Sequence, residues 1–310
     1  MNNKKINWSE YYESGGAVDM SIPKNIRQKI YDKDGNRRID DDAINALTEY
    51  IDTLPQTAYT HIVNGRFTAE RIKLHQRIIN TFKKDLVCIN SKQPIAILMG
   101  GSPASGKSTF LKKYAPYLLK SEILKVDADE VRSMLPEYKG WNASQTHIET
   151  RYIVDTLLSN RTIGIPCKYD IIYDGTMNSV RAYLPFIKLL KELKYKIFIV
   201  YIDKVPKEVV IERALKRYKS TGRFVPMAVI DDFYSNGKAS LDILKGEADG
   251  YMIIDGSDGE YRMEESVGMA LPKSRLYSKI GTHITKLEKK ERGGLVKDET
   301  PNYLKMFLGK

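Results

Sequence analysis

The sequence predicts an α/β protein built on a mostly parallel, doubly wound sheet, with a helical N-terminal extension and a basic C-terminal tail. Three observations predict it. From Pro94 onward, apolar runs of strand length alternate with segments of helical period. All but one of those runs end in an acid or a glycine, residue types suited to a ligand held beyond the carboxyl ends of the strands. The first run leads directly into a glycine-rich turn and then into a helix.

The elements follow in order. Before the sheet, residues 42–51 have helical character. Residues 68–82 place Ile72, Leu74, Ile78, Ile79 and Phe82 on an approximate helical stripe, with Thr68 available as its cap. Between Asp32 and Asp42 the acidic spacing resembles a calcium loop, with Asp32, Asp34 and Asn36 at the first, third and fifth positions. Arg37 then stands where the sharp turn needs glycine, and Ala43 where the bidentate acid belongs, so the segment reads as an acidic turn. The expected strands are 95–100, 123–127, 170–174, 196–202 and 251–255. The expected helices between them are 108–119, 128–133, 146–159, 179–193 and 206–218. After Ser257 the pattern weakens. This divides the chain into a helical extension (1–92), a central domain (93–260) and a basic tail (261–310).

The first strand carries the most specific signal. Gly101-Ser102-Pro103-Ala104-Ser105-Gly106-Lys107-Ser108 fills the pattern G-x-x-x-x-G-K-[ST] without a mismatch, and Thr109 continues into the helix. This strand, loop and helix is the opening of the P-loop NTPase and kinase fold. Glycines let backbone N–H groups turn inward around a phosphate, and the helix directs its positive end at that anion. Gly101, Ser102, Ala104, Ser105, Gly106, Lys107, Ser108 and Thr109 are therefore the candidate nucleotide-binding residues. Lys107 can reach the β- and γ-phosphates, and the Ser108 hydroxyl can ligate Mg²⁺.

Composition narrows the setting. The 310 residues are 42% hydrophobic, enough for a sizeable core. No run approaches the roughly 18 apolar residues of a membrane helix, and the N-terminus has no apolar signal-peptide region. Two cysteines, Cys88 and Cys167, are too few for a disulfide framework or a zinc site and read as buried thiols. A cytoplasmic protein is expected, with association with a phage particle as the alternative. The net charge of +11 is spread along the chain, with some excess after Leu271. It fits a solvated surface or a phosphate site and also permits a nucleic-acid partner.

Other chemistry-bearing residues cluster at strand ends. Asp127 and Asp129 close the second strand. One carboxylate can orient Mg²⁺ while the other accepts the proton of an attacking hydroxyl, and either can also cap the following helix. Asp174, Gly175 and Thr176 end the third strand, where Asp174 can meet metal or substrate. Arg213 and Arg217 share a face of the helix after the fourth strand, and Arg223 follows beyond Ser220-Thr221-Gly222. Arginines so placed form a lid that brings positive charge to a transferring phosphate, or else a basic face turned to solvent. No apolar run ending in Asp-Glu follows the loop, which favours a small kinase over an ATP-driven machine.

Taken together, Gly101–Thr109, Asp127-Ala128-Asp129 with Arg132, His147-x-Glu149, Asp174-Gly175-Thr176, and Arg217-Tyr218 followed by Arg223 and Pro226 resemble the zeta-toxin family of P-loop kinases. The order agrees over roughly residues 68–257. The resemblance implies an ATP- or GTP-dependent, Mg²⁺-requiring kinase that phosphorylates the 3′-hydroxyl of UDP-N-acetylglucosamine. It implies Asp129 as general base, Lys107, Arg217 and Arg223 on the transferring phosphate, and Glu149 and Thr176 on the substrate side. Arg132 and Asp174 are further candidate substrate contacts, and Ser108 with Asp127 the candidate metal residues. Arg217 and Arg223 are closer together than in the toxins, and the N-terminal extension is long for the family. An antitoxin is the partner implied, and for phage-encoded relatives a phage protein. A polynucleotide 5′-kinase and a non-catalytic, phage-associated nucleotide-binding protein stand as alternatives.

Overall fold

The structure is a computed structural model, and it describes residues 21–86, 93–119, 123–164 and 167–269. Cys88 and the basic tail beyond residue 269 lie outside the described residues. In chain order, helices α1 (Lys24–Ile30) and α2 (Asp41–Asp52) precede a small hairpin, β1 (Ile62–Val63) and β2 (Arg66–Phe67), and helix α3 (Ala69–Lys83). The alternating part runs β3 (Ile95–Gly101), α4 (Lys107–Tyr114), β4 (Leu124–Asp127), α5 (Ala128–Ser133), α6 (His147–Leu157), α7 (Asn160–Ile163), β5 (Ile171–Asp174), α8 (Val180–Glu192) and β6 (Lys196–Asp203). It closes with α9 (Lys207–Thr221), α10 (Met227–Leu244), β7 (Gly250–Asp255) and β8 (Arg262–Val267).

Contacts divide the chain into two units. The first takes in the described residues of Met1–Lys84, Asp127–Leu157 and Glu208–Ile230, and the second those of Asp85–Val126, Leu158–Lys207 and Asp231–Lys310.

The second unit holds the sheet, in the order β4-β5-β3-β6-β7-β8. β3 pairs in parallel with both β5 and β6, β7 continues parallel on β6, and β8 turns back antiparallel on β7. All seven residues of β3 are buried, as expected for a central strand covered on both faces. β6 runs one residue further than expected, so it too ends on an acid, Asp203. Besides α1, the β1–β2 hairpin and α7, two longer elements, β8 and α10, were not anticipated. β8 is exposed along most of its length and offers no apolar alternation to read. α10 buries Ile230, Phe233, Gly237, Leu241 and Leu244, a helical stripe with a glycine in its middle. A Cβ at Gly237 would lie 2.9 Å from Phe233 and 3.0 Å from the Tyr201 hydroxyl, so the gap in the apolar pattern is what lets the helix approach β6.

The first unit is a helical cluster around Ile30, Leu47, Ile51, Trp141, Tyr218 and Phe224. Its elements have local causes. Asp40 caps α2 by accepting the Ala43 N–H, and Thr68 caps α3 by accepting the Arg71 N–H, as its position before the apolar stripe foretold. Asn64 and Gly65 have φ of 51° and 74°, the two positive values a tight hairpin turn requires. The acidic segment is a turn. Asp32 Oδ1 accepts the N–H groups of Asp34 (2.9 Å) and Asn36 (2.8 Å). Cys167 is half-buried and disulfide-bonded, which corrects the expectation of a buried thiol there.

Candidate active site

The phosphate loop is built by the central strand. Register places Met99 beside Asp174 and Gly101 beside Ile202, so the loop leaves the sheet where β5 and β6 also end. Gly101 (φ 129°) and Gly106 (φ 98°) take backbone values that disfavour a side chain. Ala104 is held at φ 58°, a costly conformation for a residue with a Cβ and one often met at functional sites. The Lys107 ammonium folds back over the loop and donates to the carbonyls of Gly101 and Ser102, each at 2.9 Å. The hydroxyls of Ser102 and Ser105 are buried and have no partner within the protein. Buried hydroxyls without partners are costly unless something else satisfies them, and a phosphate oxygen does so. The loop therefore fits a nucleotide phosphate.

The metal-side residues fit as well. The Ser108 hydroxyl donates to Asp174 Oδ2 at 3.4 Å, putting two hard oxygen groups together beside the loop. Thr176, two residues on, donates to Asn178 Oδ1 (2.9 Å), and Asn178 donates to Asp232 on α10 (2.6 Å). Sequence reasoning passed over Asn178 and Asp232. Neither belongs to a motif, and only the fold brings α10 to this strand end.

In the first unit, Asp127 caps α5, its Oδ1 accepting the Asp129 N–H at 2.9 Å. Asp129 is bracketed by two guanidinium groups, Arg132 on Oδ1 and Arg223 on Oδ2. Burial pulls the Arg217 and Arg223 guanidinium groups below their usual range, and the Asp127 charge partly offsets this at both. Arg132 shows the same balance of burial against Tyr138 and Asp127. Buried Nε atoms of Arg132 and Arg217 have no partner within the protein. Three desolvated arginines thus lie near the two strand-end carboxylates, and two of them carry buried N–H groups suited to an anion. Arg213, a turn earlier, is absent from this cluster.

Glu149 sits in an ion network of the first unit. It is wholly buried, with 0% of its surface exposed. Both oxygens are taken by α3: Arg71 reaches Oε1 through Nε and Oε2 through Nη2 (2.8 Å), and His75 Nε2 lies 2.5 Å from Oε1. The carboxylate is thus engaged within the unit by Arg71 and His75. Arg71 also forks onto Glu137 at 2.9 and 2.7 Å, where His61 joins at 2.9 Å. Burial alone would raise the Glu137 carboxyl, but hydrogen bonds from His61 and Arg71 outweigh it and pull it down to about 2. The signal was present in Arg71 and His75, four apart on one helix face, but the apolar stripe of that helix drew the reading instead.

The family model for Zeta toxin matches residues 79–263. The chain belongs to the zeta-toxin family. Toxin PezT of Streptococcus pneumoniae serotype 4 (strain ATCC BAA-334 / TIGR4) is 27% identical over 124 residues, covering 38% of this chain and 47% of PezT. The chain thus spans about half the length of that curated relative. Among solved structures, a chain from the PezAT chromosomal toxin–antitoxin system of S. pneumoniae superposes with a TM-score of 0.52 at 18% identity, covering 75% of this chain and 99% of that one. AvrRxo1-ORF1:-ORF2 solved with ATP gives 0.53 at 21% identity, covering 81% and 80%. AvrRxo1-ORF1:AvrRxo1-ORF2 with sulphate ions gives 0.53 at 23%, covering 70% and 74%. At these identities the structural likeness is one of fold. The zeta-toxin match takes in the phosphate loop, both arginine-bearing segments and the turn before β8, and it begins inside α3. Among the described residues no helix is long and apolar enough to cross a membrane.

Proposed function

We propose that this zeta-toxin family member is a kinase that transfers the γ-phosphoryl group of ATP to a hydroxyl of a small molecule. The observation that carries the reading is the phosphate loop, with Lys107 folded over it and the unpartnered hydroxyls of Ser102 and Ser105 inside it. Mg²⁺-ATP, when bound, supplies the phosphoryl group and the charge that neutralises its oxygens. Backbone N–H groups of the loop and the Lys107 ammonium hold the phosphates. Ser108 with Asp174 offers oxygens to the cation, and Asp127 is proposed as a metal-side carboxylate. Asp129 accepts the proton of the attacking hydroxyl, and Arg217 and Arg223 stabilise charge on the phosphoryl group as it moves. Arg132 keeps Asp129 in place, and Thr176 contacts the acceptor.

For the acceptor we infer UDP-N-acetylglucosamine, the substrate of the family the chain belongs to, and for the partner an antitoxin. Two of the likenesses above are to proteins named with a second component, the PezAT toxin–antitoxin system and AvrRxo1-ORF1:-ORF2. The experiment is incubation of purified protein with Mg-ATP and UDP-N-acetylglucosamine, followed by mass spectrometry. A phosphorylated sugar nucleotide supports the proposal. Phosphorylation of some other metabolite in a cell extract keeps the kinase and changes the acceptor. No phosphotransfer from Mg-ATP to any acceptor, despite nucleotide binding, overturns it.

A further inference from the structure

We infer that Tyr261 is a positioning residue of the nucleotide site, a latch that fixes the orientation of the phosphate loop from the far edge of the sheet. The inference rests on the kinase reading, but the residue lies outside the loop motif and every segment that carries the family resemblance. Tyr261 ends the turn between β7 and β8, immediately before β8. Its hydroxyl donates to the Gly106 carbonyl at 2.8 Å. The two groups are packed so closely that a Cβ on Gly106 would stand 2.2 Å from the Tyr261 oxygen. The ring is held in turn. It meets Phe110 edge-on at 5.5 Å between centroids and Tyr114 at 5.7 Å, both on α4. Phe110 is fully buried, so this side of the cluster is anchored in the core.

The consequence follows from peptide geometry. The Gly106 carbonyl and the Lys107 N–H belong to one planar, trans peptide unit, so they point in opposite directions. Fixing the carbonyl toward Tyr261 therefore fixes the Lys107 N–H toward the opposite side, as one of the loop donors a phosphate needs. Gly106 sits at φ 98°, and a glycine is the residue least able to hold such a peptide on its own. The carbonyl also accepts the first helical bond of α4, from Phe110 N–H at 2.8 Å. The Tyr261 hydroxyl thus completes its second acceptor site. Without the hydroxyl the peptide is held by its helical bond alone, and a phosphate loses affinity by the fraction of time the N–H is then turned away.

The test compares wild type with Tyr261→Phe, which removes the hydroxyl and keeps the ring, and Tyr114→Leu, which loosens the ring packing and keeps the hydroxyl. Binding of Mg-ATP and of Mg-tripolyphosphate is titrated by calorimetry, with melting temperatures recorded alongside. A latch on the loop predicts that Tyr261→Phe weakens both ligands by the same factor, about fivefold to tenfold for one lost hydrogen bond. The melting temperature should stay near that of wild type, and Tyr114→Leu should bind both ligands as wild type does. Unchanged affinities in Tyr261→Phe overturn the inference. So does a loss for ATP alone, which makes the hydroxyl a nucleoside contact, or an equal loss in Tyr114→Leu, which reduces the cluster to packing. Lys107→Ala is titrated in parallel. Wild-type binding that Lys107→Ala does not weaken sinks the phosphate-loop reading itself and the latch with it. Lys107-dependent binding with an indifferent Tyr261→Phe sinks only the latch.

Discussion

Arg223 donates to Oδ2 of Asp129, so the arginine of the loop after α9 and the strand-end carboxylate proposed as base are direct partners. Arg132 takes the other oxygen. An arginine that stabilises the moving phosphoryl group must exchange this carboxylate for phosphate oxygens, and the exchange frees the carboxylate to accept a proton. Gly222, at φ 79°, precedes Arg223 and allows the backbone its change of direction.

Arg223→Gln is therefore expected to lower kcat by about 10²-fold or more while changing ATP affinity only modestly, since the lost interaction belongs to the transition state. Arg217→Gln should behave alike, its guanidinium being buried beside Asp127. Arg213→Gln serves as the control and should be silent. Steady-state kinetics with ATP varied at saturating acceptor separates kcat from KM. An equal loss in nucleotide affinity and kcat/KM would make Arg223 a ground-state binder.

Asp129→Asn should retain nucleotide binding and lower single-turnover phosphotransfer by about 10²-fold or more. Asp127→Asn should leave stability almost unchanged, because asparagine caps a helix about as well as aspartate and can still accept the Asp129 N–H. Its effect should appear in the Mg²⁺ concentration needed for half-maximal rate. If Asp127→Asn abolishes turnover at saturating Mg²⁺ while Asp129→Asn does not, the roles are reversed.

Lys107→Ala is expected to bind Mg-ATP at least tenfold more weakly with little change in melting temperature. The ammonium lies across the loop carbonyls of Gly101 and Ser102 and takes no part in the buried core. Isothermal titration checks the first expectation and calorimetric melting the second. A large drop in melting temperature would make Lys107 a structural clamp on the loop.

The sheet was legible because its strands are apolar on both faces and its ends carry recognisable residues; all five expected strands formed within a residue or so of their bounds. The phosphate loop was legible because one contiguous octapeptide specifies it. What stayed hidden depends on distant contacts. The stripe of α10 is interrupted by Gly237, whose reason is Tyr201 on another element. Asn178 and Asp232 meet only through the fold. Glu149 belonged to a matching motif, yet which way its carboxylate faces is decided by Arg71 and His75 on a helix that periodicity reads as merely amphipathic.

Asp170 should give stability a distinctive pH dependence. It is buried at the start of β5, where it accepts the Ile95 N–H at 2.8 Å. Burial pushes its carboxyl up from 3.8 to about 6, against that hydrogen bond. A raised carboxyl favours the folded state when protonated. Its contribution is complete below the unfolded value and is lost as pH rises through about 6, up to about 3 kcal/mol. Glu137, pulled down to about 2, acts in the opposite sense: its contribution is present above 4.5 and lost as pH falls toward 2. Urea titrations between pH 4 and 7 should therefore show wild type losing stability relative to Asp170→Asn as pH rises, on top of the opposite contribution of His147, which burial pulls down. Parallel slopes for the two proteins would contradict the burial argument.

The ion network of α3 and α6 should be the most fragile part of the first unit. Arg71 is 6% exposed and Glu149 not at all, so neither side chain has water to turn to when its partner is removed. Removing one partner of a buried pair leaves an uncompensated charge, typically costing about 3–5 kcal/mol, whereas replacing both by apolar groups of similar size is often close to neutral. Arg71→Met should thus destabilise strongly. Glu149→Gln should destabilise less, because the amide oxygen still accepts from Arg71 or His75, though its NH₂ must then face the same donors. The double variant Arg71→Met/Glu149→Met should recover much of the loss of Arg71→Met alone, leaving Glu137 to His61 at the edge of the network. Chemical denaturation of wild type, Arg71→Met, Glu149→Met and the double variant closes the cycle. Additive losses in the double variant would mean that Arg71 and Glu149 act independently, and that α3 is held to α6 by the contact of Phe67 with His75 and Tyr152, whose ring centroids lie 4.7 and 5.0 Å away.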